Sequence, residues 1–157
     1  MLAKEMSSSW DEVVAVSSAP FFRGRLPLPP GVNQSYQVVR AAGRKGARGR
    51  IGPSAALEMF KAEAALVLAD GDATHQDWSL INAIRGSKRH VSLVVHVAFF
   101  FPTLWKRDVD GGIKAVVDAA FARMELNDNL VVRLTAEKFV DADDPRCEVT
   151  VSCVVGR

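Results

Sequence analysis

The stretch Val91–Phe101, VSLVVHVAFFF, constrains the fold of this chain more than any other. β-branched and aromatic residues fill it, polar side chains interrupt it only at Ser92 and His96, and Pro102 ends it. It is too short to cross a bilayer. The pattern predicts a central strand buried on both faces. Such a strand needs partners on either side and helices to cover it. The next segment supplies a helix: from Asp110 to Glu125, the residues Ile113, Val116, Val117, Ala120, Phe121 and Met124 follow three-and-four spacing along one apolar face.

The remaining elements follow from the same periodicities. Phe21–Leu28 alternates as a strand with Phe22, Gly24, Leu26 and Leu28 on one side, and Pro27 marks an edge or a strand end. PPGVNQSY turns the chain, and the Gly/Arg-rich stretch up to Gly52 has no apolar period and reads as a loop. Pro53 and Ser54 open a helix whose stripe is Leu57, Phe60, Ala64, Val67 and Leu68. DWSLINAIR is compatible with one or two helical turns or with a loop. LVVRLTAEKFV and RCEVTVSCVV read as two strands of a hairpin joined by DADDP. The sum is a single small α+β domain over 19–157, with one mixed sheet and helices mainly on one face, preceded by a polar extension over 1–18. At 157 residues and 48% hydrophobic composition the chain can build one real core.

Charge is informative in its distribution. The net charge of +2 announces no global partner, but RAAGRKGARGR carries Arg40, Arg44, Lys45, Arg48 and Arg50 with no acid among them, a local electrostatic footprint. Cys147 and Cys153 share one strand and stand roughly 20 Å apart, too far to bridge. With no secretory leader in MLAKEMSSSW, the expectation is a cytoplasmic protein with reduced thiols and no membrane contact.

KRDVDGGIKAVVDA raises the functional question. Asp108 and Asp110 lie two apart, and Lys114 and Asp118 follow Asp110 at four-residue steps on one helix face. Hard divalent cations take several carboxylate oxygens together with water and phosphate. A third carboxylate is available at Asp128, provided the next strand returns it to the same end of the sheet. The structural alternative makes Asp110 a helix N-cap, Asp108 a surface residue and Asp128 a turn residue. Spacing alone leaves both open. His96 reads as a hydrogen-bonded core histidine rather than a ligand, DADD as a hairpin turn rather than a second metal site, and Trp105 as packing at the strand end rather than a base-stacking residue.

These motifs together resemble the RusA family of Holliday junction resolvases. RDVDGGIKAVVDA followed by NDNLVV is similar to that family's Asp-x-Asp-Asn, helical lysine and Asp-Asp turn entering a strand. LPLPPGVNQSY and the Arg-rich stretch resemble its Pro-Pro-x-x-Asn turn and basic loop, so the likeness runs from about Phe22 to Val155. Gly111 replaces the usual Asn, and Asn127-Asp128 replaces the Asp-Asp pair. The resemblance implies a small α+β dimer that nicks four-way DNA junctions with Mg²⁺ or Mn²⁺. It assigns the metal to Asp108, Asp110 and Asp128 and an essential catalytic role to Lys114. Arg44, Lys45, Arg48, Arg50, Lys106 and Arg107 would then hold backbone phosphates. Two rival readings share these residues. DVDGG also echoes the nucleophile motif of haloacid-dehalogenase-like phosphatases, but it falls in the last third of the chain and lacks the expected Thr. A non-catalytic nucleic-acid-binding module would use the aspartates only as caps.

Overall fold

The computed structural model describes residues 19–39, 49–71, 74–88, 90–105 and 107–154. The extension over 1–18, with its suggested short element at Asp11–Val16, lies outside them, as do Arg44, Lys45, Arg48 and Lys106.

Seven strands and four helices are described: β1 (Phe22–Leu26), α1 (Val32–Ser35), β2 (Tyr36–Val39), β3 (Arg50–Pro53), α2 (Ala55–Ala69), β4 (Thr74–Gln76), α3 (Trp78–Gly86), β5 (Leu93–Phe101), α4 (Ile113–Met124), β6 (Val131–Val140) and β7 (Arg146–Cys153), with a 3₁₀ turn at Asp128–Leu130. Five strands form one mixed sheet in the order β4-β1-β7-β5-β6, in which only β5 and β6 run parallel. β2 and β3 make a separate antiparallel ribbon. The α+β expectation is met.

The helices form where local signals and apolar stripes agree. Ser54 accepts from the Leu57 amide at 3.2 Å and starts α2, which buries Leu57, Phe60, Ala64 and Leu68. Asp77 does the same for α3 through Leu80, at 3.1 Å. α4 buries Val116, Val117, Ala120, Phe121 and Met124. It ends where Glu125 turns left-handed at φ 53° and the Leu126 amide reaches back to the Phe121 carbonyl at 3.1 Å. α2 and α4 pack against each other and against β1 and β7, closing a core whose sheet side is Phe22, Leu26, Val95, Val97, Phe99, Val149 and Val151.

Four expectations change. β5 is flanked on both sides, but only its helix-facing row is fully buried. Val94, His96 and Phe100 on the other row are half-buried, because the described helices contact the sheet from the core face. Arg50–Gly52, read as loop, belongs to β3, paired with Gln37–Val39. The three-residue β4 extends the sheet beyond β1 and has no sequence signal of its own. Finally, β6 and β7 do not form a hairpin. β6 lies outside β5, and the chain crosses the end of β5, where the Asp141 amide donates to the Phe101 carbonyl at 2.8 Å, before β7 enters between β5 and β1. Arg146 secures that crossing by bonding the Asp141 carboxylate at 2.7 Å and the Asp144 carbonyl at 2.9 Å. Strand propensity does not encode partner choice, so two alternating runs around a turn look alike in either topology.

Both cysteines are free, and burial pushes the Cys147 thiol pKa up. Among the described residues no helix is long and apolar enough to cross a membrane.

Candidate functional site

The loop from Pro102 to Gly112 leaves the C-terminal end of β5 and enters α4. Asp108 and Asp110 sit on it, both exposed, and both line a cleft of about 420 Å³. The far wall is the segment Pro29–Gln34, which contributes Pro29, Gly31, Asn33 and Gln34. Close backbone approach makes this wall possible: a Cβ on Gly112 would stand 2.3 Å from Pro29 Cγ. No side chain but hydrogen fits there.

Asp110 does not cap the helix. Gly112 occupies the N-cap position and no side chain bonds the first turn, while the Asp110 carbonyl accepts from the Ile113 amide at 3.3 Å. Among the described residues neither Asp108 nor Asp110 is in an ion pair. Two exposed carboxylates two residues apart lining one cleft, neither held in a described ion pair, are hard oxygen donors available to a divalent ion. Arg107 beside them lies over the Phe101 ring at 5.5 Å, and its carbonyl accepts from Lys138 Nζ at 2.8 Å.

Lys114, the second residue of α4, is 69% exposed, donates to Asp118 at 3.2 Å and is not among the residues lining the Asp108–Asp110 cleft. That hydrogen bond, with the Asp118 charge behind it, raises the Lys114 pKa; Tyr36 and Asp128 add smaller charge effects. The ammonium is therefore fully charged at neutral pH.

Asp128 is not gathered with the other two aspartates. It opens the 3₁₀ turn before β6, whose first residue, Val131, pairs with Leu93 at the start of β5. Because β5 and β6 are parallel, Asp128 belongs to the opposite end of the sheet from Asp108. The 12 residues of α4 separate the two loops by about 18 Å. Accordingly, no group of three acidic, histidine or cysteine side chains suited to a metal ion occurs among the described residues. Asp128 instead shares a depression with Asp118 on the flank of α4.

Of the basic residues, Arg50 begins β3 and Arg107 lines the cleft, both exposed. Trp105 does not pack at the strand end; it is 76% exposed. Sequence spacing alone assigns no role to Asn33, Gln34 or Gly112, although PPGVNQ and GG mark their segments.

The family model described as endodeoxyribonuclease RusA matches residues 37–152. This chain belongs to the RusA endodeoxyribonuclease family. The RusA match includes Asp108, Asp110, Lys114 and Asp128 and begins after the Pro29–Gln34 wall. A search of curated proteins finds no match. The RusA assignment makes the cleft a candidate for hydrolysis of DNA strands.

Proposed function

We propose that this RusA-family chain is a divalent-cation-dependent Holliday junction resolvase that works as a homodimer, nicking four-way DNA junctions by phosphodiester hydrolysis. The observation that carries the reading is the pair Asp108 and Asp110, unpaired and exposed on one cleft wall inside the family match. Their donor chemistry fits Mg²⁺ or Mn²⁺ in kind, and such an ion, when bound, supplies Lewis acidity and an activated water. Lys114, four residues after Asp110 in sequence and bonded to Asp118, carries a permanent positive charge that would suit a scissile phosphate or the developing oxyanion once turned toward the cleft. The β2–β3 ribbon rises from α1, whose Asn33 and Gln34 line the same cleft. The sequence joining its strands contains Arg44, Lys45 and Arg48, which we assign to the DNA backbone phosphates.

The separation of Asp128 favours the dimer. One chain offers two of the three aspartates at the cleft, and a second copy has to supply the third. The β6 edge is the surface we assign to that contact. Leu134 and Val140 face the same side as the buried Val95 and Phe101, yet are 41% and 57% exposed, and the edge backbone of β6 has no described partner. Antiparallel docking of two β6 edges about a two-fold axis would lay Asp128 of a second copy beside Asp108 and Asp110. Two such sites would face opposite strands of a two-fold junction.

The test uses an end-labelled synthetic four-way junction in Mg²⁺ and separately in Mn²⁺, with binding recorded beside cleavage. Paired nicks from the wild type, lost in Asp110→Asn while binding persists, are expected. Binding without nicking in either ion would defeat the enzyme reading.

A further inference from the structure

We propose that Trp105 is a base-stacking residue that selects unstacked bases next to the cut, an inference that rests on the nuclease reading above. An indole this exposed has nothing packed on most of its surface. Its position is held rather than incidental. The Trp105 amide donates to Thr103 Oγ1 at 3.3 Å, and two residues on, Lys138 bonds the Arg107 carbonyl at 2.8 Å. The first bond is a local turn within the loop, and the second ties the loop to β6 close to the indole.

The surroundings favour a nucleobase as the occupant. Trp105 is followed in sequence by Lys106 and Arg107, and Arg107 pairs with no carboxylate among the described residues. An aromatic side chain two residues from an arginine that is in no described ion pair suits single-stranded nucleic acid, held by stacking and backbone charge. The aromatic–cation group on the other face of the sheet is less suitable. Phe100 and Phe139 stack at 5.2 Å under Arg146, but that arginine is already held by Asp141, Asp144 and Glu148. Three carboxylates there would repel a phosphate backbone.

Reach defines the target. Three residues separate Trp105 from Asp108, a backbone span of at most roughly 10 Å. With nucleotides rising ~3.4 Å along a strand, the indole meets a base within about three nucleotides of the scissile phosphate. A base inside a duplex has both faces covered by its neighbours. Only a base at a branch point or in an opened strand offers a free face, so Trp105 discriminates branched from linear DNA.

The experiment measures binding of the full chain to a four-way junction and to linear duplex of the same sequence, without divalent cation. Intrinsic fluorescence is followed in the wild type, Trp105→Phe and Trp105→Ala, and thermal melts and sedimentation are run on all three. The junction should quench the wild-type indole signal, and the part missing in Trp105→Phe reports Trp105. Trp105→Ala should bind the junction roughly 10- to 100-fold more weakly, with duplex binding unchanged and most of the loss recovered by Phe. Unchanged junction affinity in Trp105→Ala, or equal losses on junction and duplex, would overturn the inference and leave the nuclease reading standing. A variant that binds poorly because it no longer dimerises would also overturn it, and would assign Trp105 to contact between copies. A wild type that does not bind the junction would overturn both.

Discussion

Replacing Gly112 by alanine tests whether the cleft is built by the packing of two loops. The backbone there, at φ −116° and ψ 0°, is open to alanine, so any effect is steric. The new Cβ would lie 2.3 Å from Pro29 Cγ, 3.2 Å from its Cβ and 3.4 Å from Phe99 Cε1. Carbon atoms rest at about 3.5–4.0 Å, so the Pro29 wall or the Asp110–Gly112 turn must yield by roughly 1.2–1.7 Å. A proline ring has no rotamer by which to step aside. Such overpacking costs about 1–3 kcal/mol, which for a domain of this size lowers Tm by about 2–12 °C. The same displacement moves Asp108 and Asp110 relative to Asn33, and misplacement on the order of 1 Å can cost 100-fold in rate. Circular-dichroism melts and single-turnover junction cleavage measure the two effects. Gly31→Ala is the control, because nothing stands within 4 Å of a Cβ there. A Gly112→Ala protein with unchanged Tm and unchanged cleavage would refute the close contact and the argument built on it.

Two further outcomes follow. Lys114→Met should lower nicking by roughly 100-fold, as loss of an oxyanion-stabilising donor does, while Tm moves by about 1–2 °C, since an exposed i,i+4 pair contributes only ~0.3–0.5 kcal/mol. Because the Lys114 pKa is raised above 10.5, its ammonium and the pair with Asp118 persist below that pH and are lost only as pH rises through the higher folded value. A pH–rate profile of the wild type should therefore show no loss assignable to Lys114 between pH 7 and about 10. Leu134→Glu places a charge on the exposed β6 row and should shift sedimentation velocity from dimer to monomer with the monomer still folded. A variant that remains dimeric would remove the β6 edge as the contact.

Much of this was determined by the sequence itself. Periodicity alone placed the strands from Phe22 and Leu93, both long helices, and their buried faces, because an apolar stripe must be covered whatever covers it. Local chemistry likewise marked Ser54 as the cap of α2 and brought Asp108 and Asp110 together on one loop, since residues two apart remain neighbours in any fold, whereas the fold turns Lys114 toward Asp118. Tertiary structure decided what depends on partners distant in sequence. β7 entering between β1 and β5, and β6 running parallel outside β5, are choices among strands of similar propensity. The ribbon strand at Arg50–Pro53 exists only because Tyr36–Val39 pairs with it. That parallel pairing sends Asp128 to the far end of the sheet from Asp108, a separation that spacing along the chain cannot reveal. The fit of Pro29 against Gly112 and the exposure of Trp105 have the same origin, for burial of a side chain is decided by what the fold brings over it.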